Sequence, residues 1–322
     1  MLLPAILLLI GLLLLLGGGD ILVRGASGLA AGLRVSPLVI GLTVVAMGTS
    51  APELAVNVIA AWRGSSELSF GNIMGSNLAN LGLVLGGTAV LCPLVIRSEV
   101  NRREIPMMLL ATLVAVVLAF DAPLRGGHAA YDRADALVLL SLLGLFVYYT
   151  VLAVLQGRAA DTLAVEAAEA GMPLRRGLAR NAVLTAAGLA GLAGGGRVTV
   201  GAAVALAEGL GVPEAIIGLT VIAVGTSLPE LATAVIAARH GETDLAVGNV
   251  VGSNILNLVL VLGFTALVRP VPVPAGGAGD LIMLGVVSLA LVPLALTGSR
   301  LVRGEGALLL AAYLGYMAWR VL

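Results

Sequence analysis

Two glutamates stand in otherwise apolar runs, each in the same company. Glu53 lies in AMGTSAPEL and Glu230 in AVGTSLPEL, and further on come GNIMGSNLAN and GNVVGSNILN. Hydroxyls flank each carboxylate at Thr49 and Ser50, or at Thr226 and Ser227. On a helix Thr49, Ser50 and Glu53 would share one face, being three and four residues apart. Ser76 and Asn80 share a face at i, i+4, as do Ser253 and Asn257. Pro52 has no amide proton to give the carbonyl of Gly48, and Pro229 has none for Gly225, so each motif also frees a backbone oxygen. The donors are carboxylate, hydroxyl, amide and carbonyl oxygens, with no His or Cys among them. Such a set suits hard cations, Ca²⁺ or Na⁺, rather than zinc or copper. Ca²⁺ takes about six to eight oxygens, and two carboxylates would balance its charge.

What positions these groups is a membrane-spanning frame. Of 322 residues 59% are hydrophobic and 11% charged, whereas soluble domains carry about 25% charged residues. Eighteen Asp and Glu cancel eighteen basic residues, all of them Arg. No basic excess remains to neutralise phosphates, so a nucleic-acid partner is excluded. A single cysteine, Cys92, excludes a disulfide scaffold and reads as a small apolar packing residue. Ten apolar runs are candidate helices: Leu2–Val23, Pro37–Ala61, Gly71–Leu94, Ile105–Phe120, Ala136–Leu155, Asn181–Leu206, Glu214–Ala238, Ala246–Val268, Leu281–Leu296 and Ala307–Leu322. Ile105–Phe120 is short and the last run is terminal, so nine spans stay open. No basic residue precedes the first run, which argues against a cleaved signal peptide. Continuous rather than alternating apolar runs exclude a β-barrel. The expected fold class is therefore an all-α polytopic membrane protein.

Arginine placement orients it. With ten spans, one face carries Arg24, Arg34, Arg97, Arg102, Arg103, Arg158, Arg175, Arg176, Arg180, Arg239, Arg300 and Arg303. The other carries Arg63, Arg125, Arg133, Arg269 and Arg320, while Arg197 lies inside a span. The positive-inside rule makes the first face cytoplasmic and puts both termini outside. The loop Gln156–Arg180, with Asp161, Glu166 and Glu169 among its arginines, reads as a solvated linker. Arg175 and Arg176 serve that rule without any specific lipid contact.

An internal repeat decides the class. Gly41–Gly86 matches Gly218–Gly263 without a gap at an offset of 177, and 29 of the 46 positions are identical. Upstream, Gly17, Gly18 and Gly19 fall on Gly194, Gly195 and Gly196. The chain divides into a first five-helix repeat (1–155, motif 41–86), a cytoplasmic linker (156–180) and a second five-helix repeat (181–322, motif 218–263). An odd number of spans per unit inverts the second relative to the first, an architecture of secondary transporters with sites at the repeat interface. A young duplication fits poorly, because the remaining spans of the halves look dissimilar. An ionised Glu inside a span costs about 3 kcal/mol or more. It therefore needs a cation, a proton or a partner. Taken singly, each motif could be a protonated packing acid with Ser, Thr and Asn as interhelical glue. Two motifs in register, each with its proline and glycines, tell against that.

At these residues the sequence resembles the sodium/calcium exchanger family of the cation/calcium antiporter superfamily, over essentially the whole chain. GTSAPEL with GNIMGSN, and GTSLPEL with GNVVGSN, are similar to its two α-repeats. The resemblance implies exchange of Ca²⁺ for Na⁺ by alternating access, with inorganic cations as substrates and no cofactor, enzyme activity or protein partner. It makes Glu53 and Glu230 the central Ca²⁺ ligands and gives oxygens from Thr49 and Thr226. Ala46, Ser50, Ser76 and Asn80 would complete adjoining Na⁺ sites with Ala223, Ser227, Ser253 and Asn257. Asn77 and Asn254 would support the fold. Asn, where some relatives have Asp, stands at both 80 and 257, which lowers the expectation of K⁺ dependence. Proton/calcium antiporters resemble the chain less. A cation channel lined by the same glutamates is the rival from another class. An intramembrane enzyme is remoter, with no nucleophile–base pair or HExxH-like motif in the chain.

Three readings fall outside the motifs. Asp20 and Arg197 occupy equivalent repeat positions, but inversion would separate them, so no direct pair is expected. The glycine triplets beside them permit bending or close helix packing. His128 and His240 read as surface loop residues.

Overall fold

The computed structural model describes residues 2–64, 66–96, 100–124, 128–165, 177–211, 223–296 and 300–321. Arg97, Arg125, Glu166, Glu169, Arg175, Arg176 and the 218–222 head of the second motif lie outside them. In chain order the helices are α1 (Leu2–Leu33), α2 (Pro37–Ile40), α3 (Ala46–Thr49), α4 (Ala51–Trp62), α5 (Ser66–Ala79), α6 (Gly87–Leu91), α7 (Ile105–Leu124) and α8 (Arg133–Val165). After the linker come α9 (Leu178–Gly209), α10 (Ala223–Thr226), α11 (Leu228–Arg239), α12 (Thr243–Leu256), α13 (Leu262–Val268), α14 (Gly277–Leu296) and α15 (Arg303–Val321). π-helical segments at Gly41–Val45, Asn80–Gly86 and Asn257–Val261 join α2 to α3, α5 to α6 and α12 to α13, and a fourth, Val100–Glu104, leads into α7.

Among the described residues seven helices are long and apolar enough to cross a membrane. An eighth is the pair Pro37–Thr49 and Ala51–Trp62, bent by 41°. The two other expected runs are helical where described. Glu214–Ala238 contains α10 and all but the last residue of α11, and Ala307–Leu322 lies in α15 up to Val321, where Glu305 and Arg320 reduce the apolar character. Several helices outrun the apolar stretches that announced them: α1 continues to Leu33, and α8 continues to Val165, inside the expected linker. The all-α expectation needs one small correction, because four two-residue strands form.

The strands pair crosswise. Leu94–Val95 (β1) is antiparallel to Arg300–Leu301 (β4), and Ala130–Tyr131 (β2) to Val271–Pro272 (β3). β3 stands 177 positions after β1, so the strand behind each motif is paired to the far end of the other half. The Tyr131 hydroxyl donates to Ala115 O at 2.8 Å. Burial, with the nearby Asp135 charge second, pushes that phenol up, so it stays a donor. Asp132 N donates to Asp135 Oδ2 at 2.8 Å and Asp132 Oδ1 accepts from Asp135 N at 3.0 Å, a reciprocal cap at the start of α8, whereas at α15 Val302 N donates to Glu305 Oε2 at 2.9 Å and valine has no side-chain acceptor to return.

Leu68–Leu91 and Thr243–Val268 are the buried centre of the molecule. α1, α7, α8, α9 and α14 surround them and turn apolar side chains such as Leu13, Leu113 and Leu289 outward, as lipid-facing helices do. α1 and α9 run antiparallel at backbone contact. A Cβ on Gly18 would lie 2.8 Å from Leu192 N, one on Gly195 2.8 Å from Leu15 N, and one on Gly25 2.6 Å from Thr185 N. The glycines thus serve close packing, as small residues do between membrane helices. Their roles divide within a triplet, since a Cβ at Gly17 would meet nothing. Gly18→Ala should destabilise the purified protein by about 1–3 kcal/mol, because helix backbones must part. Gly17→Ala should leave the melting temperature unchanged or raise it. Equal effects of the two would contradict this packing.

Candidate cation-binding site

Each motif helix breaks at its serine. α3 ends at Thr49, Ser50 takes φ −85°, ψ −2°, and α4 begins at Ala51 with Pro52 in its first turn. Ser227 takes φ −91°, ψ 4° between α10 and α11, with Pro229 in the same place. The assumption of one continuous helical face for Thr49, Ser50 and Glu53 is therefore corrected: proline is tolerated in a first turn but not in a helix interior. The break leaves the carbonyl end of α3 and the amide end of α4 meeting at the site. Glu53 and Glu230 sit in the first turns of α4 and α11, where the helix dipole favours a carboxylate.

The two motifs interlock. Thr49 Oγ1 lies 3.3 Å from Ala46 O, 3.2 Å from Asn249 Oδ1 and 3.5 Å from Ser253 Oγ. In the other direction Ser76 Oγ lies 3.4 Å from Thr226 Oγ1 and 3.3 Å from Asn72 Oδ1. Each threonine thus meets the serine of the opposite half. Helix backbones meet closely as well: a Cβ on Gly248 would fall 2.8 Å from Leu38 O, and one on Gly252 2.8 Å from Leu42 Cα. Asn77 Nδ2 donates to Ile73 O at 2.8 Å. Asn254 Nδ2 donates to Asn77 O at 3.4 Å, which ties α12 to α5 as the fold-supporting role requires.

Glu53 and Glu230 are 4% and 2% exposed, and their charges act on one another. Thr49, Ser50, Glu53, Ser76, Asn80, Ser227, Glu230, Ser253 and Asn257 are all buried, as is Ala46, and the contacts above join Thr49 to Ala46 and Ser253. Thr226 touches Ser76. Ala223 opens α10, and only its backbone is described. Four pairs of buried side-chain oxygens have no partner among the described residues: Ser50 and Ser227 Oγ, Glu53 and Glu230 Oε2, Asn77 and Asn254 Oδ1, Asn80 and Asn257 Oδ1. Members of each pair are 177 positions apart. Buried oxygens in the membrane interior are costly unless satisfied. The six on Ser50, Glu53, Asn80 and their counterparts, two of them carboxylate oxygens, are donors of the kind a hard cation takes.

Sequence reasoning passed over Asn72 and Asn249. Both lie in the quoted motifs, four residues before Ser76 and Ser253, on the face already assigned to the site. Their place among the hydroxyl contacts was legible from that spacing. Outside the site, Asp20 pairs with Arg24 at 2.9 Å and with His240 at 3.3 Å. Arg197 is exposed, and no ion pair joins it to Asp20 among the described residues. His240 is a turn residue, but it bridges α11 to α1 rather than standing alone.

The profile of the family described as "Sodium/calcium exchanger protein" matches residues 3–152 and 180–322. The Alkalimonas amylolytica protein CaxA is 40% identical over 323 residues, covering 98% of each chain. Sodium/calcium exchanger MaX1 of Methanosarcina acetivorans is 33% identical over 339 residues, covering 97% of each. The solved structure of the sodium-calcium exchanger NCX_Mj soaked with 2.5 mM Na⁺ and 0.1 mM Ca²⁺ superposes with a TM-score of 0.83 at 30% identity, covering 99% of this chain and 98% of that one.

Proposed function

We propose that this chain, which belongs to the sodium/calcium exchanger family, moves Ca²⁺ across the membrane in exchange for Na⁺. Its frame would be ten transmembrane helices in two inverted five-helix repeats, alternately exposing one central site. The observation that supports the reading most is the paired set of unpartnered oxygens around Glu53 and Glu230. In this assignment Glu53, Glu230, Thr49 and Thr226 hold Ca²⁺ as substrate. Ala46, Ser50, Ser76 and Asn80, with Ala223, Ser227, Ser253 and Asn257, form flanking Na⁺ positions. Asn72 and Asn249 hold the hydroxyls in place through the contacts given above. The crosswise strand pairs are consistent with inversion, since each half closes on the other. The arginine asymmetry supports a cytoplasmic-membrane location with the 156–180 linker inside and both termini outside.

Radiolabelled Ca²⁺ uptake into vesicles tests the coupling ion. An outward Na⁺ gradient should drive uptake, and outward K⁺ or proton gradients should not. Uptake on a proton gradient alone would make the protein a proton/calcium antiporter. Ca²⁺ flux without any counter-ion would make it a channel.

A further inference from the structure

At the arginine-rich end of the molecule a groove of about 310 Å³ opens between α7 and α8. Arg102 and Arg103 stand at its mouth, where the apolar span Arg102–Phe120 begins, and Met107, Leu110, Leu145 and Phe146 form its floor. Arg103 is committed: its Nη2 donates to Tyr149 O at 2.6 Å, and its Nε lies 3.5 Å from Glu104 Oε1. Glu104 is buried, and Arg103 offsets its charge. Arg102 is exposed and makes no hydrogen bond or ion pair among the described residues. The described residues lining the groove therefore carry one net positive charge.

The other half shows why the groove is open. Asp280 stands 176 positions after Glu104, and Tyr316 and Arg320 stand 170 after Phe146 and Thr150. There Arg320 grips Asp280 through Nε and Nη2, both at 3.2 Å, and the Tyr316 hydroxyl donates to the same carboxylate. A guanidinium and a phenol close that end. Phe146 and Thr150 have neither group, so the space beside Glu104 stays open toward the lipid-facing surface, where Leu110 and Leu145 are 40% and 39% exposed.

A cationic mouth at the start of a span, continuous with an apolar floor, fits an amphiphile with a single anionic head. We propose that this groove binds an anionic phospholipid of the surrounding bilayer, with its phosphodiester at Arg102 and an acyl chain along Met107, Leu110, Leu145 and Phe146. Basic pockets between membrane helices are suited to such headgroups. A zwitterionic lipid would bring its own cation against Arg102.

The full-length protein in detergent, titrated with phosphatidylglycerol or phosphatidylcholine of equal chain length and followed by native mass spectrometry, tests this. Phosphatidylglycerol should bind more tightly, and Arg102→Gln should weaken it about fivefold while leaving phosphatidylcholine unchanged. Arg102 is exposed and makes no hydrogen bond or ion pair among the described residues, so the substitution should spare the fold. The double variant Phe146→Tyr, Thr150→Arg rebuilds the clip of the other half. It should weaken phosphatidylglycerol binding although it adds a positive charge. Stronger binding by the double variant, equal binding of the two lipids, no effect of Arg102→Gln, or displacement of the lipid by water-soluble glycerophosphate would each overturn the proposal.

Discussion

Glu53→Gln and Glu230→Gln proteins, correctly folded, are each expected to lose Ca²⁺ transport by at least about a hundredfold. Removing one charge from a buried, mutually dependent ionic group costs about 3–5 kcal/mol, and every 1.4 kcal/mol is tenfold in an equilibrium. The fold should survive, because Gln is nearly isosteric with Glu and Oε2 of each carboxylate has no partner among the described residues to lose. Removing a buried carboxylate that needs a cation or a proton should hold the ion-free melting temperature or raise it. Radiolabelled Ca²⁺ uptake and thermal unfolding, measured on the same preparations, give the comparison. Near-normal exchange by either variant would show that its carboxylate is a packing group and would remove the central assignment. A melting temperature lowered along with activity would place the role in folding instead.

Much of this site was legible because its chemistry conflicts with its surroundings. A carboxylate, a proline and a run of Ser, Thr and Asn in hydrocarbon-length apolar segments have few structural uses, and their repetition at one offset removes most of those. The helix break at Ser50 was implied by Pro52 but not located by it, since a proline can sit in a first turn or kink an interior. The structure takes the first option and so replaces one continuous face with two helix ends. Asn72 and Asn249 stand in their motifs one turn before Ser76 and Ser253, and an amide there reads equally well as interhelical packing. The i, i+4 ladder through 72, 76 and 80 was already present in the residues. The strand pairs could not be read. Two-residue strands have no periodicity, and β1 finds its partner more than 200 residues away. The extension of α1 to Leu33 and of α8 to Val165 was hidden for another reason. Hydropathy reports where lipid begins and ends, whereas a helix continues past the bilayer as long as its own backbone bonds are made.

Calorimetric titration should show Na⁺ weakening Ca²⁺ binding about tenfold or more between Na⁺-free buffer and saturating Na⁺, with K⁺ at equal ionic strength as control. The reason is the interlock. Thr49 touches Asn249 and Ser253 while Thr226 touches Ser76, so an ion seated on either motif draws on oxygens held by the other. If the flanking Na⁺ ions also draw on Thr49, Glu53, Thr226 and Glu230, which the proposed assignment gives to Ca²⁺, the two kinds of ion cannot both occupy the centre. Linkage requires Ca²⁺ to weaken Na⁺ binding by the same factor, and couplings of this kind typically run from about 5- to 150-fold. Charge fixes the shape of the effect as well. One Ca²⁺ balances Glu53 and Glu230, but one Na⁺ leaves a buried anion, so more than one Na⁺ must bind to replace it. The loss of Ca²⁺ affinity should accordingly rise more steeply than the first power of Na⁺ concentration. In Asn80→Ala, which deletes a donor oxygen without touching either acid, the steepness should fall while Ca²⁺ binding in Na⁺-free buffer persists. A Ca²⁺ affinity independent of Na⁺ would mean that the two ions do not share these oxygens.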